Sequence, residues 1–385
     1  MTSPDLDASI ATALDTVDRN LVTFAQVYPD DATDHGTYPV RRARNNYPAG
    51  SHTGWTTGFW PGMLWLAYEL TGAQKYRAAG EVQVERFADR LARNIDVDHH
   101  DLGFLYTLSC VAAYRLTGND LAHQTALNAA NQLMTRFLEG PGILQAWGAL
   151  DDPDQRGRTI VDSLMNVPLL YWASDQTGDP RFAAAGTRHT EQLVRYLVRP
   201  DGSTCHTFYF DPDSGAPRFG RTHQGHADES TWSRGQAWAI YGFALSYRYT
   251  RDERFLDAAR RTADVFLANT PADGVVYWDF AFADGSGEPK DSSASAIAAC
   301  GLLELGSAAY QNADSTPYHQ AGARIVAALH HTCAPPPGSN SNALLHHGTQ
   351  NRNANQAVDE GNLWGDYFYL ESLTRLARPN WTPYW

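Results

Sequence analysis

Carboxylates that can be brought together, with histidine beside one of them, are the side chains in this sequence best suited to moving a proton. Asp101 closes the run Asp98-His99-His100-Asp101 and Asp162 opens Asp162-Ser163; each introduces a strongly apolar stretch. If those stretches are consecutive buried helices, the two aspartates approach each other across a shared mouth. Two carboxylates held close in a dry, aromatic site cannot both ionise easily, and the less solvated one acquires a raised pKa useful to a general acid or base. Asp291, Ser292 and Asp366 stand at comparable positions, and for them N-capping of first-turn N–H groups is the simpler expectation.

Metal binding is the competing chemistry for Asp98-His99-His100-Asp101, with His206, His223, His226, His346 and His347 as further donors. Neighbours along a regular strand or helix do not converge on one point, and neither HExxH nor HxxEH occurs. The expectation is no metal and no cofactor. Asp151-Asp152-Pro153-Asp154 has the composition of a diphosphate site, but its proline and the nearby Arg156 and Arg158 predict a solvated loop. No GxGxxG, P-loop or GxSxG elbow is present. Cys110, Cys205, Cys300 and Cys333 lack CxxC spacing and read as reduced thiols.

Trp55, Trp60, Phe104, Trp147, Trp232, Trp238 and Trp278 fall near the starts of the apolar stretches. Aromatic faces bury the C–H side of a sugar ring while leaving its hydroxyls to polar partners, so carbohydrate is the leading ligand class. Helix N-termini gathered at one mouth favour an anionic small molecule.

The elements that must position these residues follow from a repeat. Leu70-Thr71-Gly72, Leu116-Thr117-Gly118-Asn119, Gln176-Thr177-Gly178-Asp179 and a degenerate Tyr249-Thr250-Arg251-Asp252 read as corners where one helix ends and another begins. Around them run six helices apolar on every side: Gly58 to Leu70, Leu102 to Leu116, Ser163 to Ser174, Gln236 to Tyr249, Ala294 to Ala308 and Tyr367 to Leu376. Six amphipathic helices alternate with them, as in Phe182, Gly186, His189, Leu193 and Tyr196. Buried helices inside and one-faced helices outside predict an all-α (α/α)6 toroid, a single catalytic domain over 1–385. Thr204 to Phe210 and Val275 to Phe280 read as short strands or ribbons, and Pro335-Pro336-Pro337-Gly338 as a loop.

Composition narrows the partners. The 385 residues are 43% hydrophobic and 19% charged, with a net charge of −13 and no basic run, which argues against nucleic acid and anionic membranes. Met1 to Leu21 carries four aspartates among apolar positions and no basic leader, so a cytoplasmic location is expected. No window reaches the ~18 consecutive apolar residues of a membrane span. A monomer or weak homo-oligomer is expected.

At these same residues a resemblance appears. Trp55-Thr56-Thr57-Gly58-Phe59-Trp60, Asp98-His99-His100-Asp101-Leu102-Gly103-Phe104, Gln145-Ala146-Trp147-Gly148, Cys205-His206-Thr207-Phe208-Tyr209-Phe210-Asp211, Thr222-His223-Gln224-Gly225, Trp232-Ser233-Arg234-Gly235-Gln236-Ala237-Trp238 and Asp291-Ser292-Ser293-Ala294-Ser295-Ala296 resemble the unsaturated glucuronyl hydrolases, glycoside hydrolase family 88. The resemblance implies an (α/α)6 barrel without metal that removes a Δ4,5-unsaturated uronic acid from the non-reducing end of oligosaccharides made by polysaccharide lyases. It implies Asp162 as general acid and then base, with Asp101 as its partner. It also implies a pocket lined by Trp55, His100, Phe104, Trp147, His206, Thr222, Gln224, Arg234 and Trp238, with Arg234 offsetting the uronate carboxylate. The related unsaturated rhamnogalacturonyl hydrolases and a non-catalytic sugar-binding toroid are the alternatives. Some family members acting on sulfated glycosaminoglycan fragments carry Ser-x-x-Ser-x-Lys shortly before the last inner helix. Here Asn351 to Gln356 reads Asn-Arg-Asn-Ala-Asn-Gln, which argues against a strong preference for sulfate.

Overall fold

A glycine that follows an apolar helical run accepts the left-handed conformation that other residues resist, and so turns the chain. The computed structural model describes residues 3–44, 46–307, 315–336 and 338–385. In it, Gly72, Gly118 and Gly178 adopt φ of 70°, 70° and 73°. Arg251 takes the same conformation at the degenerate fourth corner, with φ 57°. The residue after three of these corners caps the next helix: Asn119, Asp179 and Asp252 each accept a first-turn N–H.

Among the described residues the chain forms six inner and six outer helical units. The inner ones are α2 (Phe59–Thr71), α4 (Leu102–Tyr106) running through a π turn (Thr107–Val111) into α5 (Ala112–Thr117), α7 (Val167–Thr177) after a 3₁₀ turn (Val161–Met165), α9 (Ser233–Thr250), α11 (Ser292–Leu305) and α13 (Leu363–Ala377). The outer ones are α1 (Ser3–Thr23), α3 (Gln74–Ala92), α6 (Asp120–Met134), α8 (Pro180–Tyr196), α10 (Glu253–Ala268) and α12 (Ser315–Thr332). Every residue of α11 is buried, whereas α8 buries one face through Phe182, Ala185, His189 and Leu193. Inner helices touch in sequence, α2 to the π turn, α4 to α7, α7 to α9, α9 to α11, α11 to α13 and α13 back to α2, while α3, α8, α10 and α12 pack outside. This is the (α/α)6 toroid. Of the expected inner-helix and loop limits, Ala308 and Pro337 lie outside the described residues.

Two capping expectations are corrected. Ser292 is the first residue of α11 and not its cap. Asp291 caps α11, accepting the Ser293 N–H. Asp366 does not cap α13; Asn362 does, and Asp366 lies a turn further in, accepting from the Tyr38 hydroxyl and the Leu345 N–H at 2.9 Å each.

Short ribbons decorate the mouth. β1 (Phe137–Leu138) pairs with β2 (Ile143–Leu144); β3 (Arg158–Ile160), β4 (Thr207–Phe210) and β5 (Pro217–Arg221) form an antiparallel sheet; β6 (Gly348–Asn351) and β7 (Gln356–Glu360) form a hairpin. The expected ribbon at Val275 to Phe280 makes only isolated bridges, Tyr277 to Lys290 and Trp232 to Asp279. β3 delivers the chain directly into the 3₁₀ turn that carries Asp162, and Val161 N–H donates to the His206 carbonyl at 3.0 Å. At the opposite end Trp385 is buried, stacked on Phe368 and donating from Nε1 to Glu371. Among the described residues no helix is long and apolar enough to cross a membrane, and the four cysteines are unpaired.

Candidate active site

The starts of the inner helices meet around one mouth. Trp55, just before α2, lies 5.4 Å from Phe104 of α4 and 5.2 Å from Trp364 of α13, centroid to centroid. Arg234 of α9 lies over Trp364 and pairs with Asp291 at the head of α11. His100 Nε2 stands 3.2 Å from Asp101 Oδ1 and 3.7 Å from Asp162 Oδ1, so α4 and the turn before α7 present their carboxylates to one imidazole. Each aspartate side chain is about one-sixth exposed, 16% and 17%, so both reach the cleft while their surroundings stay dry.

The two carboxyls are driven in opposite directions. Burial pushes Asp162 well above the ordinary carboxylate range, the neighbouring Asp101 charge pushes it further, and Arg234 only partly offsets this. Burial acts on Asp101 too, but His100, His99 and Arg136 outweigh it and hold Asp101 below its usual value. Burial drops His100 to about 4, so its ring is neutral at pH 7. The arrangement is one protonated and one ionised carboxyl, poles of an acid/base pair.

His100, Asp101 and Asp162 also bring three donor atoms within 4.8 Å of one another. Adjacent residues do converge here, contrary to the sequence argument, because residues 98–101 bend before α4 begins and are neither strand nor regular helix. Their chemistry suits a shared proton better than an ion. A neutral imidazole with Nε2 beside two carboxyl oxygens carries its hydrogen there, and a cation would require removing both that hydrogen and the proton on Asp162.

The aromatic expectation divides. Trp55 and Trp147 remain partly exposed, whereas Trp60, Phe104, Trp232, Trp238 and Trp278 are buried. Trp238, expected to offer a face to a sugar, is 1% exposed and wedged between Phe104 and Phe368. It and Phe104 form packing beneath the mouth.

His206 is buried and its ring lies 4.5 Å from Trp232. Its Nδ1 accepts the N–H groups of His223 and Gln224 at 2.9 and 3.2 Å, which leaves the hydrogen on Nε2. Burial, with His223 and Arg234 nearby, holds the ring's pKa well below normal, so Nε2–H is a neutral donor, and no protein group among the described residues receives it. Thr222 Oγ1 accepts the Gly225 N–H and stands 3.4 Å from His206 Nδ1, and Gln224 donates to the Gln350 carbonyl, so these two shape the rim. Arg234 is tied to Asp291 and to the carbonyls of Thr349 and Gln350, so the cation expected to be free for a uronate is already held by protein groups.

Three participants escaped sequence reading. Arg158, read from the sequence only as the neighbour of a solvated loop, is instead buried in β3 and lies over Trp147, 4.1 Å from its centroid. The β6–β7 hairpin supplies the carbonyls that hold Arg234 and Gln224. Asn166 bridges the starts of α4 and α7. Grooves elsewhere, about 500 Å³ beside Ser9 and Tyr369 and about 620 Å³ beside Glu69 and Trp381, contain neither carboxylate.

The profile of Glycosyl Hydrolase Family 88 matches residues 35–329. The chain belongs to glycoside hydrolase family 88. An unsaturated glucuronyl hydrolase of Bacillus sp. (strain GL1) is 44% identical over 381 residues, covering 98% of each chain. An unsaturated chondroitin disaccharide hydrolase of Streptococcus pyogenes serotype M1 is 39% identical, covering all of this chain and 94% of its own. The crystal structure of an unsaturated glucuronyl hydrolase from Streptococcus agalactiae superposes with a TM-score of 0.94 at 39% identity, covering all of this chain and 94% of that one. This family 88 member is therefore a glycosidase of the unsaturated glucuronyl hydrolase kind, built on the toroid its sequence predicts.

Proposed function

We propose that Asp162 is the proton donor and Asp101 the charge that keeps it protonated, in an enzyme that releases a Δ4,5-unsaturated uronic acid from the non-reducing end of lyase-generated oligosaccharides. The observation that carries this reading is the opposite driving of the two carboxyls around His100. The C4=C5 bond beside the ring oxygen is an enol ether. Asp162 protonates C4 and leaves an oxocarbenium-like centre at C5. The resulting Asp162 carboxylate takes a proton from water as that water adds to C5. The hemiketal opens to the C5 ketone and the aglycone departs from C1 as its alcohol. The usual two-carboxylate scheme instead places acid and base on either side of the glycosidic bond.

His206 Nε2–H supplies a hydrogen bond to the sugar without adding charge, the neutral His100 keeps its hydrogen toward the two carboxyls, and Trp55 and Trp147 flank the sugar. The partner is a small anionic unsaturated oligosaccharide. The chain works as one catalytic domain over 1–385, as a monomer or weak homo-oligomer, in the cytoplasm, a location in keeping with four unpaired cysteines.

In deuterated water the released sugar should carry deuterium at C4, and water labelled with heavy oxygen should enter at C5. Loss of the conjugated double-bond absorbance reports turnover in the same sample. Unlabelled C4 with heavy oxygen at C1 would instead indicate direct glycosidic displacement.

A further inference from the structure

Asp101 occupies the N-cap position of α4, yet its side chain caps nothing. An aspartate at that position ordinarily accepts the N–H two or three residues on. Here the amide three residues on, Phe104 N–H, is taken by Asn166 Oδ1 at 3.0 Å. Asn166 belongs to the next inner helix: it follows the 3₁₀ turn carrying Asp162 and stands at the N-cap position of α7. It is fully buried, as is Phe104. The two helix starts press together at this point, since a Cβ on Gly103 would fall 2.3 Å from Asn166 Cα and 2.8 Å from its Oδ1.

We infer that Asn166 is a positioning residue that caps α4 from the neighbouring helix and thereby releases the Asp101 carboxylate to face Asp162. Without it, the unsatisfied Phe104 amide recruits the acceptor an N-cap position ordinarily supplies, the Asp101 side chain, and the carboxylate turns down onto its own helix. An orphaned buried N–H is costly enough to drive that rotation. The same contact fixes the spacing of the pair, because Asn166 is four residues beyond Asp162 and its partner amide three beyond Asp101. The charged and titratable groups facing the pair are His99, His100 and Arg136 around Asp101, and His100, Asp101 and Arg234 around Asp162. None of these sits on α7, so the uncharged substitution Asn166→Ala alters the pair only through the cap.

The inference rests on Asp162 acting as the acid. The test compares Asn166→Ala and Asn166→Asp by the pH dependence of kcat/KM and by infrared titration of the Asp162 carboxyl, which needs no turnover. Activity requires protonated Asp162, so its pKa sets the alkaline limb. In Asn166→Ala the Asp101 charge withdraws, and the alkaline limb and the infrared transition should both fall by about one pH unit. Asn166→Asp keeps the acceptor and adds a negative charge, so both should stay or rise. In an Asp101→Asn background, Asn166→Ala should move the infrared transition no further. A folded Asn166→Ala enzyme with reduced turnover but unmoved transitions would overturn the inference. If that variant does not fold, a downward shift in Asn166→Asp overturns it instead. Full turnover by Asp162→Asn would remove the acid assignment, while the infrared titration would still report whether Asn166 holds the pair together.

Discussion

The guanidinium of Arg158 lies over the indole of Trp147, 4.1 Å from the ring centroid, and donates at 2.9 Å to the Trp147 carbonyl. Backbone and ring are held by one cation, so the indole is fixed as a wall of the cleft with one face covered and its surface partly open. His223 meets the ring edge-on at 5.3 Å.

A wall fixed in this way binds sugar without needing to rearrange. Trp147→Ala should raise KM by about tenfold or more, in line with the 0.5–1.5 kcal/mol of an aromatic contact plus its buried area, and leave helical content unchanged. Arg158→Lys keeps charge but loses the flat stack and the fork, and should raise KM by a smaller factor. Circular dichroism alongside Michaelis kinetics checks both; a collapse in melting temperature with unchanged KM in the survivors would assign Trp147 to packing.

The opposed carboxyls set a pH plateau. Asp162 must be protonated, so activity is lost as pH rises through its raised pKa; Asp101 must be ionised, so activity is lost again as pH falls through its depressed one. Asp162→Asn should lower kcat by about 10² to 10⁴. Asp101→Asn removes the negative charge that raises Asp162, and the alkaline limb of its residual activity should move down by about one to two pH units. An alkaline limb that stays in place would dissociate the two carboxyls.

At the rim, Arg352 pairs with Glu288 at 3.0 Å, and the same carboxylate oxygen accepts the indole N–H of Trp278. The cation in the Asn351 to Gln356 segment is thus already neutralised. Unsulfated disaccharide should be the better substrate. Glu288→Gln keeps an acceptor for Trp278 while freeing the Arg352 charge, and should improve kcat/KM on sulfated relative to unsulfated disaccharide by about two- to fivefold, the worth of an exposed ion pair. An unchanged ratio would place Arg352 out of reach of the substrate.

What the sequence disclosed and what it withheld divide by range. The corners at Gly72, Gly118 and Gly178 were legible because a helix end is chosen by the residues beside it, and twelve such helices leave few ways to close. The meeting of Asp101 with Asp162 followed from their places at consecutive inner helix starts. Asn166 stayed hidden because its bond to Phe104 spans 62 residues and lies on no face that periodicity defines. Asp366 was misplaced by a single turn, since two polar residues four apart compete for one cap and only Asn362 has the register. Trp238 shows the limit of composition: a tryptophan near a helix start has the same spacing whether it faces a ligand or, as here, Phe104 and Phe368.

That turn of register has a consequence for stability. Asp366 is fully buried, and burial raises its carboxyl to about 7, although the Leu344 and Leu345 N–H groups and the Tyr38 hydroxyl pull it down. Unfolded, it titrates near 3.9. Between these values the folded state holds the proton more tightly, so the carboxyl's contribution is full below about pH 4 and is lost as pH rises through 7, at about 1.4 kcal/mol per pH unit. His100 and His189, depressed by burial to about 4 and 3, act in the opposite sense and remove stability as pH falls below about 6.5. The total curve therefore mixes the two, but the difference between wild type and Asp366→Asn isolates the carboxyl. Asparagine can accept the Leu345 N–H with its oxygen and donate to the Tyr38 oxygen with its amide. The variant should match wild type near pH 5 and exceed it by about 1–3 kcal/mol at pH 8 in urea unfolding. Parallel curves for the two proteins from pH 5 to 8 would mean that Asp366 is ionised throughout that range and that the loops around Tyr38 and Leu345 already satisfy its charge.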